Sequence, residues 1–80
     1  MLPYTKRHVT VQEGVSTVGR CAFYGLKFVR TVTLPETLTA IGDYGFYMCR
    51  LMKEITIPEG VTSIGKDAFV KTGLSEIPTV

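Results

Sequence analysis

A repeat solenoid is the fold this sequence predicts, and three observations carry it. The 80-residue chain repeats itself with a period of 23 residues. Each period holds a β-branched stretch, which stops at a proline in the second and third units and at Gln12 in the first, and behind it a glycine-to-phenylalanine segment recurs. Periods of this length mark supersecondary units that cannot bury an apolar face alone and must stack to share a core.

The columns of the repeat are specific. Val9, Val32 and Ile55 align, as do Val11, Leu34 and Ile57, then Val15, Leu38 and Val61, then Val18, Ile41 and Ile64. Behind them stand Gly19, Gly42 and Gly65, then Ala22, Gly45 and Ala68, then Phe23, Phe46 and Phe69. The units run over about 6–28, 29–51 and 52–73. Leu74 follows Val29 and Met52 one residue early and opens a partial fourth unit, 74–80.

Within a unit, "VTL" and "ITI" alternate apolar residues with threonine, the pattern of a half-buried strand. Pro35 and Pro58 end those strands, because proline has no N–H to give to a ladder. A second apolar pair, Leu38/Ile41 or Val61/Ile64, predicts a short second strand, and the glycine after it lets the backbone turn. The segment that follows, "GKDAFVKTG" in the third unit, predicts one helical or 3₁₀ turn carrying Phe69 inward. The three phenylalanines then stack as an aromatic spine at the ~4.8 Å spacing of paired strands.

Composition narrows the function. Hydrophobic residues at 45% and charged residues at 20% belong to a folded globular chain, not a disordered one. A net charge of +2 lacks the dense basic patch that a phosphate backbone requires, so no nucleic acid is expected as partner. No apolar run approaches the ~20 residues of a bilayer span, so no membrane insertion is expected, and the N-terminal stretch has no export signal. Cys21 and Cys49 fall in different columns of adjacent units, which predicts two free, mostly buried thiols and not a disulfide.

The residues match a known pattern. Val29-x-x-Val32-x-Leu34 and Met52-x-x-Ile55-x-Ile57 read as the strand of a leucine-rich repeat, and "ITIPEGVTSIGKDAF" and "VTLPETLTAIGDYGF" resemble the BspA-like class of those repeats. The resemblance covers about residues 6–80, and Cys49 falls on that class's cysteine column while Leu26 and Thr72 occupy it in the neighbouring units. The chain has no asparagine, so the buried asparagine ladder of the wider family is absent. The resemblance implies a right-handed leucine-rich-repeat superhelix of short parallel strands, one stretch of an extracellular or cell-surface protein that adheres to proteins or extracellular matrix.

The candidate binding face is the outward side of the long strands, expected to be concave. Arg7, Arg30 and Lys53 form a basic column, with His8, Thr31 and Glu54 beside it and Thr10, Thr33 and Thr56 beyond. Thr31, Thr33, Glu54 and Thr56 alternate with Val32, Leu34, Ile55 and Ile57 and therefore point at any partner. Glu13, Glu36 and Glu59 form an acidic column, but identical environments cannot drive two carboxylate pKa values apart, which argues against acid–base catalysis. Tyr24 and Tyr47 share a column, with Tyr44 nearby, and packing between units explains them better than an interface. Cys21 or Cys49 with His8 lacks a third orienting group, so no catalytic residue, metal site or cofactor is expected.

The function expected is a non-enzymatic protein-interaction or adhesion module using that face; the alternative is a structural spacer or self-assembling segment. The apolar start of a strand at "LSEIPTV" predicts either a fragment of a longer array or self-association through the terminal strand edges.

Overall fold

The computed structural model describes residues 7–79. Six short strands occur in order: β1 (His8–Thr10), β2 (Thr17–Val18), β3 (Thr31–Thr33), β4 (Ala40–Ile41), β5 (Glu54–Ile55) and β6 (Ser63–Ile64). They form two parallel three-stranded sheets, β1-β3-β5 and β2-β4-β6, so every unit gives one strand to each sheet. Registers fall on the repeat columns: Val9 pairs with Val32 and Val32 with Ile55, and Val18 pairs with Ile41 and Ile41 with Ile64. This is the repeat solenoid the period predicts.

Between the sheets each unit turns where the prolines predict. The Pro35 carbonyl accepts from the Leu38 amide at 3.1 Å and the Pro58 carbonyl from Val61 at 3.1 Å, with Gln12 and Val15 making the same turn in the first unit at 3.3 Å. Thr37 Oγ1 accepts from the Gly14 amide at 3.0 Å and donates to the Val15 carbonyl at 2.9 Å, tying this turn to the unit before it.

The expected helical or 3₁₀ turn is not formed; no helix of either kind occurs among the described residues. Successive β-turns replace it. Ala22, Gly45 and Ala68 donate back to Gly19, Gly42 and Gly65, and one interior residue of each turn, Cys21, Tyr44 or Asp67, sits at φ 57, 58 or 53°. Four residues on, Gly25, Met48 and Lys71 are again left-handed. The physical reason lies between units. The Cys21, Phe23 and Gly25 amides donate to the Asp43, Gly45 and Tyr47 carbonyls, and the Tyr44, Phe46 and Met48 amides to Lys66, Ala68 and Val70. A helix would aim those amides along its own axis. The left-handed residues turn every second one toward the next unit, giving a third hydrogen-bond ladder beside the two sheets.

The glycine column also differs in its cause from the expectation of a backbone turn. Gly19, Gly42 and Gly65 are not left-handed. Gly42 and Gly65 serve close approach instead: a Cβ on Gly42 would lie 2.8 Å from the Arg20 nitrogen, and one on Gly65 would lie 2.5 Å from the Gly42 carbonyl carbon and collide with the Asp43 nitrogen. Units touch backbone to backbone here, which only glycine permits.

The core is the sum of the columns. Leu38, Ile41, Phe46, Cys49, Met52 and Phe69 are fully buried, and among the described residues no polar or charged residue is buried with them. The aromatic spine forms as expected. Phe23 and Phe46 stack with ring centroids 5.2 Å apart, and Phe46 and Phe69 do the same. The first unit is thinner: Val15 is 37% exposed where its column partner Leu38 is 0%. In the partial fourth unit Leu74 packs on the core, but Ile77 is 55% exposed and no strand forms around it. The lost residue before Leu74 takes that segment out of the register a fourth strand would need.

Candidate functional site

The outward side of β1-β3-β5 is built by the period-two alternation of its strands. β1 reads exposed–buried–exposed and β3 half-buried–buried–exposed, so Val9 and Val32 face the core while His8, Thr10, Thr31 and Thr33 face out. Register makes two ladders of them. His8, Thr31 and Glu54 are consecutive partners across the sheet, and Thr10 pairs with Thr33. His8 Nδ1 and Thr31 Oγ1 are 2.6 Å apart, a hydrogen bond that fixes both side chains. Thr56 is exposed but lies one residue past β5, so it extends the threonine column beyond the paired ladder.

The basic column stands at the strand entrance. The Arg30 amide donates to the Arg7 carbonyl at 2.6 Å and the Lys53 amide to the Arg30 carbonyl at 3.3 Å, which places three exposed cations in consecutive units. The structure therefore brings Arg7, His8, Thr10, Arg30, Thr31, Thr33, Lys53 and Glu54 together on one face, with Thr56 at its margin. At the other end of the strands, a cleft of about 260 Å³ is lined by Val32, Thr33, Leu34, Glu36, Thr56 and Pro58.

The other sequence-level candidates resolve into scaffold. Glu13 Oε1 accepts from the Glu36 amide at 3.3 Å, so the first acid of that column caps the backbone of the next unit. Tyr24 and Tyr47 are in contact at 5.2 Å, the inter-unit packing expected of them, and Tyr44 meets Tyr47 edge-on at 5.4 Å within the second unit. Among the described residues, no group of three or more His, Cys, Asp or Glu side chains is placed to hold a metal ion.

The cysteines are unbridged, and one expectation about them is corrected. Cys49 is buried, but Cys21 is exposed, because its left-handed backbone at the outside of the turn directs it away from the core. Burial pushes the Cys49 thiol above its ordinary range, against a backbone hydrogen bond with Leu26 that pulls it down. The thiol donates to the Phe23 carbonyl at 3.0 Å.

Sequence reasoning missed the hydroxyls and carboxylate that lace the units together. Thr39 Oγ1 donates to Ser16 and Thr62 Oγ1 to Thr39, along the margin of the β2-β4-β6 sheet. Asp43 Oδ1 accepts from the Lys66 amide at 2.8 Å. Their signal was the column Ser16, Thr39, Thr62, visible in the repeat alignment.

The family described as "BspA type Leucine rich repeat region (6 copies)" has a model that matches residues 5–79. The chain belongs to that family. No curated protein and no solved structure matches the chain. The BspA-type match agrees with the repeat solenoid described above and places the chain among leucine-rich-repeat proteins.

Proposed function

We propose that this BspA-type solenoid is a non-enzymatic protein-binding module of an extracellular or surface protein, engaging its partner across the outward face of β1-β3-β5. The carrying observation is the paired ladder of outward-facing polar side chains, His8–Thr31–Glu54 and Thr10–Thr33, set on a core that contains no buried polar residue among the described residues. Polar chemistry is spent on the surface and on inter-unit bonds, and a rigid ladder presents it with little ordering cost on binding.

Biolayer interferometry against a panel of extracellular-matrix proteins tests the reading. A Thr33→Trp substitution, which an exposed strand position tolerates, blocks the face; Ser63→Trp on the opposite sheet serves as control. The expected result is binding weakened at least about tenfold by the first, about 1.4 kcal/mol, and spared by the second. Binding unaffected by Thr33→Trp removes this face as the site.

One observation favours a second reading, a spacer that carries a further unit. The amides of Asp67, Phe69 and Lys71, whose column equivalents all donate to a following unit, have no partner among the described residues. A cavity of about 420 Å³ lies beside them, between Ile64, Phe69 and the Ile77–Thr79 segment.

A further inference from the structure

The cations of this molecule are not spread evenly. Five of its nine lysines and arginines, Arg7, Lys27, Arg30, Arg50 and Lys53, lie at one corner, where the chain leaves the turn segment and enters the long strand, and all five are exposed. The corner has the same geometry in consecutive units. The Val29 amide donates to Leu26 at 3.4 Å and the Met52 amide to Cys49 at 3.1 Å, so Lys27 and Arg50 each open the middle of an equivalent β-turn. Val29 and Met52 are buried, which anchors each turn and leaves Lys27 and Arg50 outside it. Two cationic columns result, Lys27–Arg50 and Arg7–Arg30–Lys53, running side by side along the solenoid axis at ~4.8 Å per unit. Most acids lie elsewhere: Glu13, Glu36 and Glu59 line the far end of the strands, Asp43 and Asp67 lie in the turns after the glycine column, and Glu54 stands next to Lys53 at the third-unit end.

We propose that this double column is a docking strip for an acidic, extended segment of a partner protein, and that Lys27 and Arg50 belong to the binding surface. The inference rests on the protein-binding reading above and names the partner's chemistry. Like charges held a few ångströms apart by backbone register repel one another, and an anionic ligand relieves that repulsion as it binds. Three units span only ~10 Å between first and last at the strand spacing. That length matches three or four extended residues at ~3.3 Å each and offers too few contacts for tight capture of a long phosphate backbone. The hydroxyls of Thr31 and Thr33 flank the strip and suit the polar groups of a peptide chain.

Fluorescence anisotropy with a labelled oligoglutamate of about eight residues, long enough to cross the strip, tests this. The expected result is binding at low salt that weakens as salt is added, and that falls at least about tenfold in Lys27→Glu/Arg50→Glu. Lys66→Glu/Lys71→Glu makes the same change in net charge away from the strip and should alter affinity less than about twofold. Lys27→Gln/Arg50→Gln repeats the test should the reversed pair disturb folding. Absence of oligoglutamate binding at low salt, equal losses in the two reversed pairs, or tighter binding of a heparin-derived oligosaccharide or a single-stranded oligonucleotide would each overturn the proposal. The measurement needs no matrix ligand, so it can fail while the Thr33 test succeeds, and the reverse.

Discussion

At Gly65 a single methyl group has nowhere to go, since the Asp43 and Gly42 backbone of the preceding unit already fills the space. Backbone cannot rotate aside as a side chain can, so Gly65→Ala must push two units apart. The expected loss is about 3 kcal/mol or more, measured by chemical denaturation. Cys49 makes a different demand. Its folded thiol holds its proton to higher pH than the unfolded one, so its contribution is complete below the unfolded thiol range and is lost as pH rises from about 8.5 toward the folded value. Stability measured from neutral to alkaline pH should therefore fall across that window, and less so in Cys49→Val. A thiol reagent should label exposed Cys21 at once and Cys49 only at the rate of unfolding. The burial of Cys49 was legible in the sequence, but the exposure of Cys21 was not, because nothing in "GRCAF" marks Cys21 as left-handed.

Among the elements, the strands and the turns at the prolines were legible, and the segment after the glycine was not. Val9, Val32 and Ile55 announce their sheet three times over, and repetition turns a weak local preference into a firm assignment. The segment after the glycine carries alanine and phenylalanine at a spacing that also suits a helical turn, and it is the inter-unit ladder that decides otherwise. That ladder holds the aromatic spine in register. Phe46 is enclosed by a ring on each side and is 0% exposed. Phe46→Ala should cost roughly 3–5 kcal/mol, from lost burial and two lost stacking contacts. A domain of this size has little more than that to lose, so the variant's unfolding midpoint by circular dichroism should drop far below that of Phe23→Ala, whose ring is only half-buried.

For the whole molecule, the period foretells the solenoid and the columns foretell the face, but charge segregation becomes visible only when both are folded together. Arg30 and Lys53 stand out as a column in the strand alignment; Lys27 and Arg50 read there as ordinary turn residues until the shared corner sets them beside it. The same view separates the two readings of the ends. Stacking two identical copies end to end in this register would set Lys53 beside Arg7, Glu59 beside Glu13 and Lys66 beside Arg20, all like-charged pairs. A neighbouring repeat without those charges would avoid the added repulsion. The glycine column supplies a gauge for whether such a neighbour is present. Gly42 and Gly65 are each pressed by a preceding unit, whereas nothing among the described residues lies within 4 Å of a Cβ on Gly19. Gly19→Ala in the isolated chain should therefore shift stability by no more than ~0.5 kcal/mol. Placed behind another repeat, the same methyl group would register that repeat's arrival as a loss comparable to the one at Gly65.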